Sequence, residues 1–348
     1  MELKLNKERL LAALTKINKL DDNVIFYSKG GLFIQSRFVD GGEMLNLQLS
    51  ETELAMDPFG VNGTGLYNIV KSISGDEIGF ILEKKNLKIS DKDKEYKINI
   101  SQDVYTPDFK LKISEASSIN VDVLLQYIPY VYNVRDKSGV GYDAIFLKEN
   151  LIVATDSRRL YKVRLPDDIK FIPQIAIDNL QGFFVGEINY YVDNGLFIIF
   201  KGNDYYTIRL LEHSIPEYQP LFDGFTNKCI KLNKDFLTVI KNALLVYKKD
   251  TAMITLTIKD KNIVVEADSD EIGSFKEKYT GLSGDGSIKI GMNGHYLKDA
   301  IDFISKFDDD FFIKYKDPNK AIYLHTNKFE IEILLMPIRI TGEEKNED

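Results

Sequence analysis

Leu5-Asn-Lys-Glu-Arg-Leu-Leu-Ala-Ala-Leu-Thr-Lys-Ile17 is echoed twice farther along the chain, by Ile119-Asn-Val-Asp-Val-Leu-Leu-Gln-Tyr-Ile-Pro-Tyr-Val131 and by Leu232-Asn-Lys-Asp-Phe-Leu-Thr-Val-Ile-Lys-Asn-Ala-Leu244. Each stretch opens with an apolar residue and an asparagine, a residue type that caps helix N-termini by accepting an otherwise unpaired backbone N–H. Each continues with apolar residues at helical spacing: Leu10, Leu11, Leu14 and Ile17, then Val121, Leu124, Leu125 and Ile128, then Phe236, Leu237, Ile240 and Leu244. The asparagines stand at 6, 120 and 233, steps of 114 and 113 residues. A second set recurs at nearly the same step: Gly60-Val-Asn-Gly-Thr-Gly-Leu-Tyr-Asn-Ile-Val-Lys-Ser-Ile73, Ile175-Ala-Ile-Asp-Asn-Leu-Gln-Gly-Phe-Phe184 and Ile290-Gly-Met-Asn-Gly-His-Tyr-Leu-Lys-Asp-Ala-Ile-Asp-Phe-Ile304, with cap candidates Asn62, Asp178 and Asn293. Pro107-Asp-Phe109 and Pro216-Glu-Tyr218 form a third set, 109 residues apart. One set is what coincidental helix caps would give. Three sets on a common period read as threefold duplication, with domains at 1–111, 112–225 and 226–340 and an acidic tail at 341–348.

Between the helices the hydrophobic pattern changes to short runs rich in β-branched and aromatic residues, often alternating and bounded by turn residues. Examples are Gly79–Leu82, Leu87–Ser90, Tyr96–Ile100, Gly195–Phe200, Tyr205–Leu210, Met253–Ile258, Asn262–Glu266 and Phe329–Leu334. Two helices and many such strands per repeat predict an α+β domain with antiparallel sheets. The helices fall at similar points in two halves of each repeat, so each domain reads as a doubled unit. Pro129 interrupts the third helix, because proline removes a donor and clashes with the preceding turn.

The chain's 348 residues suit two or three domains. No apolar run approaches the length of a membrane span, and the charged start Met-Glu-Leu-Lys-Leu-Asn-Lys-Glu is unlike a signal peptide. Cys229 is the sole cysteine, which excludes an internal disulfide and a cysteine zinc site; it reads as a small core or strand residue in a reducing cytoplasm. The net charge of −8 argues against general adherence to nucleic acid. It leaves room for a locally basic face, since fields are short-ranged at physiological salt.

Catalytic constellations are absent. There is no phosphate-binding loop and no nucleophile elbow; Gly281-Leu-Ser-Gly-Asp-Gly286 reads as a turn between strands. The histidines, His213, His295 and His325, lie far apart without ligand spacing. The acidic clusters Asp308–Asp310, Asp268–Glu271 and Asp91–Glu95 lack the spacing of a calcium loop and read as solvated turns. No catalytic residue, metal ligand or cofactor is expected, and a metal-dependent enzyme built on Asp308–Asp310 is the alternative from another class.

Positive charge gathers on the repeated helices. Arg9, Lys16 and Lys19 project opposite the apolar stripe of the first, and Lys234, Lys241, Lys248 and Lys249 attend the third-repeat helix. Lys71, Arg135, Lys137 and Lys298 add single cations. One lysine-rich helix face is ordinarily just solvated. Recurrence on one element of an otherwise acidic chain points instead to sequence-independent contact with phosphates.

Four stretches then resemble the bacterial DNA polymerase III beta subunit family, the sliding clamps: Leu151-Ile-Val-Ala-Thr-Asp-Ser-Arg-Arg-Leu160, Arg209-Leu-Leu-Glu-His-Ser-Ile-Pro-Glu-Tyr218, Ile288-Lys-Ile-Gly-Met-Asn-Gly-His-Tyr-Leu297 and Leu334-Leu-Met-Pro-Ile-Arg-Ile340. Their order and spacing match from end to end. The resemblance implies three tandem clamp domains, each with two helices on antiparallel sheets, and a head-to-tail homodimeric ring of six domains around duplex DNA, with Ile98, Ile100, Leu245 and Val246 as interface candidates. It implies a pocket for short linear peptides of polymerase and clamp-loader subunits, walled by Thr155, Ser157, Arg158, Arg159, Leu160, Pro216, Leu221, Leu334 and Met336, in which Leu160, Leu221, Leu334 and Met336 form an apolar floor. Ser157-Arg158 replaces the family's Gly-His, Pro220 stands where a basic residue is usual, and residues 341–348 extend past the family's usual end. These departures keep a diverged clamp with other partners open, and the acidic tail is expected to modulate peptide entry.

Overall fold

Asn6 accepts the Arg9 amide at 2.9 Å and so begins the first helix where the sequence places it. Asn62 and Asn293 do the same for the second helices of the first and third repeats. The computed structural model describes residues 2–36, 43–91, 94–106, 110–135, 143–225, 228–248, 252–328 and 330–340. The Pro107–Phe109 motif, Lys137, Lys249 and the 341–348 tail lie outside these residues.

The first repeat runs β1 (Glu2–Asn6), α1 (Lys7–Ile17), β2 (Asn23–Ser28), β3 (Leu32–Ser36), β4 (Met44–Ser50), β5 (Phe59–Asn62), α2 (Gly63–Ser72), β6 (Glu77–Leu82), β7 (Asn86–Asp91) and β8 (Lys94–Asn99). The second runs β9 (Ser117–Asn120), α3 (Val121–Leu125), α4 (Ile128–Tyr132), β10 (Ile145–Glu149), β11 (Leu151–Thr155), β12 (Arg159–Arg164), β13 (Phe171–Ile177), β14 (Glu187–Asp193), β15 (Leu196–Lys201) and β16 (Asp204–Arg209). The third runs β17 (Cys229–Asn233), α5 (Phe236–Leu244), β18 (Met253–Lys259), β19 (Asn262–Ser269), β20 (Gly273–Thr280), β21 (Ser283–Gly284), β22 (Ser287–Asn293), α6 (Gly294–Ile304), β23 (Asp310–Lys314), β24 (Ile322–Thr326), β25 (Ile331–Leu335) and β26 (Pro337–Ile338). Strand, helix, three strands is thus the half-repeat, with the helix split in the first half of the middle repeat and absent from its second, and with β21 and β26 added in the third. In every repeat the first strand of each half crosses over to the other half's sheet: β1 joins β6-β7-β8, for instance, while β5 joins β2-β3-β4.

The chain folds as two compact units, Met1–Leu125 with Leu180–Leu211 and Gln126–Asn179 with Glu212–Asp348. The first holds the sheets β1-β6-β7-β8 and β5-β2-β3-β4-β16-β15-β14-β9. The second holds β13-β10-β11-β12-β25-β24-β23-β17-β21 and β20-β19-β18-β22-β26. The middle repeat therefore divides between the units. Its β16 is hydrogen-bonded antiparallel to β4, and its β12 to β25, so two sheets run without a break across the repeat boundaries.

Helices cover the sheets through the faces their periodicity sets aside. Leu10, Ala13, Leu14 and Ile17 of α1 are buried, as are Phe236, Val239, Ile240 and Ala243 of α5. Leu11, Leu237 and Leu244, expected in the stripe, are only half-buried. Ala13 and Ala243 are buried in their place, and α1 packs on α2 as α5 packs on α6.

The middle repeat departs most from expectation. Its first helix breaks into α3 and α4 around Gln126 and Tyr127, just ahead of Pro129. Its second helix does not form: residues 178–186 are irregular, and Asp178 pairs with Arg135 instead of capping. The other two repeats place Gly63 and Gly294 directly after the cap, where an added Cβ would lie 2.3 Å from Asn18 Oδ1 and 2.5 Å from Ile254 Cδ1 respectively. Asn179 occupies that position here, so the close seating is denied.

Leu14 is wholly buried under α1. Leu14→Ala is expected to cost about 2–5 kcal/mol through lost transfer energy and the cavity left behind, read as a lower thermal unfolding midpoint with unchanged secondary structure by circular dichroism.

Candidate functional site

The joint between β12 and β25 presents one face in rungs, because strand side chains alternate. Lys162 stands opposite Glu332, Leu160 opposite Leu334, and the Arg158 carbonyl accepts the Met336 amide at 2.8 Å. β24 continues two rungs with His325 beside Glu332 and Tyr323 beside Leu334. The innermost rung is a buried ion pair between Lys162 and Glu332. Tyr323 donates to Glu332 at 2.6 Å, and burial against this carboxylate raises the phenol's pKa. His325 stacks on Phe312 at 4.9 Å, and burial lowers its pKa. Removing one member of such a pair leaves an uncompensated buried charge, at about 3–5 kcal/mol.

The segment after Tyr218 is pinned over this rung. The Lys162 ammonium lies 4.8 Å from the Phe222 ring centroid, and Lys316 lies 4.2 Å from that of Phe225. Both rings pack on Tyr323, at 5.3 and 5.2 Å, and Lys316 also donates to the Asp223 carbonyl. Cation–π contacts of this kind contribute about 0.5–2 kcal/mol each. The segment carries Pro220 and Leu221 on a short 3-10 turn, Gln219–Phe222.

Between the segment and the sheet lies a cavity of about 620 Å³. Its wall contains every residue expected there: Thr155, Ser157, Arg158, Arg159, Leu160, Pro216, Leu221, Leu334 and Met336. Leu160 and Leu334 are buried at its floor, whereas Leu221 and Met336 are 54% and 47% exposed at its mouth. Glu217, Tyr218, Pro220, Phe225 and the turn from Lys316 to Ala321 also line it. That turn carries Asp-Pro-Asn, and Asp317 accepts the Asn319 amide at 2.8 Å, so the sequence signals a turn without showing what it faces.

Arg159 lines the cavity with its charge already engaged: its guanidinium donates to Asp156 at 2.9 Å and to the Asn133 carbonyl at 2.6 Å, lies 4.2 Å from the Tyr296 ring centroid and stands 3.6 Å from Asp299. The charge serves the seating of α6 and is not presented to a ligand. Ser157 holds φ +67°, with its amide on Thr155 Oγ1, a conformation that favours glycine.

The helix cations are placed variously. Lys19, Lys71, Lys241 and Lys248 are exposed and Lys16 is half-buried. Exposed Arg9 donates to the Gln48 carbonyl at 2.9 and 3.2 Å. Lys234 precedes α5 and pairs with Asp309 at 2.7 Å, Lys248 follows its end, and Lys298 pairs with Asp299 at 2.8 Å. Arg135 requires a correction. It is 7% exposed, and its guanidinium goes to the Tyr132 and Asp143 carbonyls and to Asp178, so it is a structural bracket and no phosphate contact. Ile98, Ile100 and Val246 are half-buried, and Leu245 is 73% exposed.

The remaining polar candidates have local partners. Asp308 accepts from Asp310 and Asn327, and Asp310 pairs with Lys231. His213 stands 3.0 Å from Asp143, and half-buried Cys229 opens β17. Among the described residues no group of His, Cys, Asp and Glu is arranged to hold a metal, and no helix is long and apolar enough to cross a membrane.

Known proteins share this fold. Residues 223–339 match the family model for the DNA polymerase III beta subunit, C-terminal domain. The beta sliding clamp of Lactococcus lactis is 27% identical over 216 residues, an alignment covering 56% of this chain and 57% of that protein. The solved DNA polymerase III beta chain of Streptococcus pneumoniae superposes with a TM-score of 0.87 at 17% identity, covering 97% of this chain and 100% of that one. The corresponding subunit of Pseudomonas aeruginosa gives 0.86 at 18% identity, with 97% and 100% covered. At these identities the structures establish the shared fold.

Ser157→Gly is expected to leave the fold unchanged and to raise stability by up to about 1 kcal/mol by relieving the left-handed backbone, whereas Ser157→Val lowers it; thermal midpoints of the two variants check the sign.

Proposed function

We propose that the chain is a sliding clamp of the DNA polymerase III beta subunit family, a non-catalytic ring that encloses duplex DNA and tethers polymerase and clamp-loader subunits through short peptides. The observation that carries the proposal is the repeated sheet joint. The last strand of a first half, β4 or β12, pairs with the last strand of a following second half, β16 or β25. The same logic leaves one strand of each kind at a sheet edge: β20, the last strand of the third repeat's first half, and β8, the last strand of the first repeat's second half. Exposed edges are ready templates for pairing, and head-to-tail contact between copies, β8 of one on β20 of the next, closes with two chains into six domains.

The interface candidates suit this joint. Ile98 lies on β8 with Ile100 just beyond it, and Leu245 and Val246 follow α5, which packs on β20. The three repeats are then the three domains 1–111, 112–225 and 226–340. Lys16, Lys19, Lys71, Lys241 and Lys248, with Arg9, supply backbone contacts to DNA that carry no sequence information. Weak contacts suffice once the ring is closed, because escape is blocked by topology and sliding is not. The cavity at the β12–β25 joint receives the partner peptide, its apolar floor taking the hydrophobic anchors.

The test is topological. Loaded onto nicked circular DNA by a clamp loader, the protein is expected to stay bound through a high-salt wash and to be lost when one restriction cut opens the circle. Loss in high salt from the intact circle, or retention on DNA with free ends, contradicts the proposal.

A further inference from the structure

The two edge strands carry the same dipeptide: Lys94-Glu95 opens β8, and Lys276-Glu277 lies within β20. Laid antiparallel, two such dipeptides set each lysine against a glutamate. Backbone direction and side-chain sidedness decide whether β8 and β20 of two copies can meet that way. The Ile100 amide donates to the Lys85 carbonyl at 3.0 Å. Antiparallel ladders alternate, so residues 94, 96 and 98 bond to β7 while 95, 97 and 99 point away from it. The Gly281 amide donates to the Lys261 carbonyl at 2.7 Å, so 275, 277 and 279 bond to β19 while 274, 276, 278 and 280 point away. Tyr96 and Ile98 on β8, and Phe275, Glu277 and Tyr279 on β20, are half-buried, and the residues between them are exposed. The Tyr96 hydroxyl lies 3.4 Å from that of Ser72 on α2, and Tyr279 packs on Phe236 of α5 at 5.1 Å, so each half-buried row is the helix-side row.

We propose that β8 accepts β20 of a second copy in one register, Lys94 opposite Glu277 and Glu95 opposite Lys276, and that this shared dipeptide makes the joint select its own chain. The proposal rests on the ring reading above and adds to it which residues meet. Backbone direction and sidedness both require Glu95 to face an even-numbered residue of β20, which leaves registers two residues apart. With Glu95 on Lys276, Tyr96 lies on Phe275, Lys97 on Ser274 and Ile98 on Gly273. A Cβ at Gly273 would meet nothing within 4 Å, so Ile98 has room. Moving Glu95 on to Lys278 sets Lys97 on Lys276 and Tyr96 on Glu277, and moving it on to Thr280 sets Lys97 on Lys278 and Ile98 on Glu277. Moving it back to Ser274 loses both charge pairs. Opposite charges and aromatic pairs stabilise a ladder when directly opposed, and like charges destabilise it. The favoured register also continues charge rows present in each copy. Glu95 lies 2.6 Å from Lys88 and Lys276 lies 2.7 Å from Glu266, so Lys88, Glu95, Lys276 and Glu266 alternate in sign across the joint. An edge strand without this pattern meets mismatched charge, which disfavours other partners.

Sedimentation velocity over a concentration series at low salt tests this in the full-length protein, with the variants Lys94→Glu and Glu277→Lys. In a two-chain ring either variant alone sets like charges together at both joints. Its dimer is expected to be about tenfold or more weaker than that of the wild type. An equimolar mixture of the two variants is expected to recover to within about twofold of the wild-type Kd, because one joint keeps the original pair and the other carries it reversed. Both the loss and the recovery should shrink at high salt. Variants that dimerise as the wild type does, or a mixture no tighter than its components, overturn the register while the ring stands. A wild-type chain that stays monomeric at every concentration overturns the ring reading as well.

Discussion

Backbone pairing between the last strands of neighbouring half-repeats is the interaction on which the rest depends. Each joint is antiparallel and short, Met44 to Asn46 against Tyr205 to Thr207 in one case and Arg159 to Val163 against Ile331 to Leu335 in the other. It joins four strands to four in one case and four to five in the other, giving one continuous sheet within each unit. The compact units follow these joints more closely than they follow the sequence repeats, which is why the middle repeat contributes to both. A duplicated half-repeat with an exchanged first strand has one final edge strand in each half. A chain of three repeats therefore satisfies two joints and leaves two of these final strands, β8 and β20, at sheet edges, and self-association is the direct way to pair them.

The cavity is a consequence of the same joint. Pairing β12 with β25 stacks Leu160 on Leu334 and buries Lys162 beside Glu332. The buried pair is poor evidence of added stability, since desolvation offsets much of its Coulombic attraction. Its effect is positional: the Lys162 charge beneath Phe222, with Tyr323 as the shared surface for Phe222 and Phe225, fixes the segment that closes one wall. A ligand thus meets a preformed site and does not have to order it, which lowers the entropic cost of binding.

Much of this was legible before any coordinates. Period and caps located α1, α2, α5 and α6 through Asn6, Asn62, Asn233 and Asn293, although α5 starts at Phe236, three residues after Asn233, whose side chain instead accepts from the Asp235 amide and the Tyr279 hydroxyl. The wall of the cavity was legible through family motifs, not through periodicity, because strands distant in sequence come together there. Other features depend on tertiary context. Arg135 and Arg159 look like surface cations in the sequence, but their partners Asp178, Asp299 and the Asn133 carbonyl lie 43, 140 and 26 residues away. The middle repeat lacks its second helix and carries Asn179 where the other repeats have Gly63 and Gly294, a difference whose meaning shows only in the tight contacts at those glycines. The turn from Lys316 to Ala321, part of the cavity wall, was not singled out in the sequence at all.

The central claim, that β8 and β20 pair between two copies, is open to direct measurement by hydrogen–deuterium exchange across a dilution series. The outward-facing amides of residues 94–99 and 273–280 are predicted to be protected at high protein concentration and to lose protection together on dilution, with one shared midpoint, while the amides of β3 and β19 stay protected throughout. Exchange at both edge strands that is rapid and independent of concentration, or protection at one edge without the other, would contradict the account.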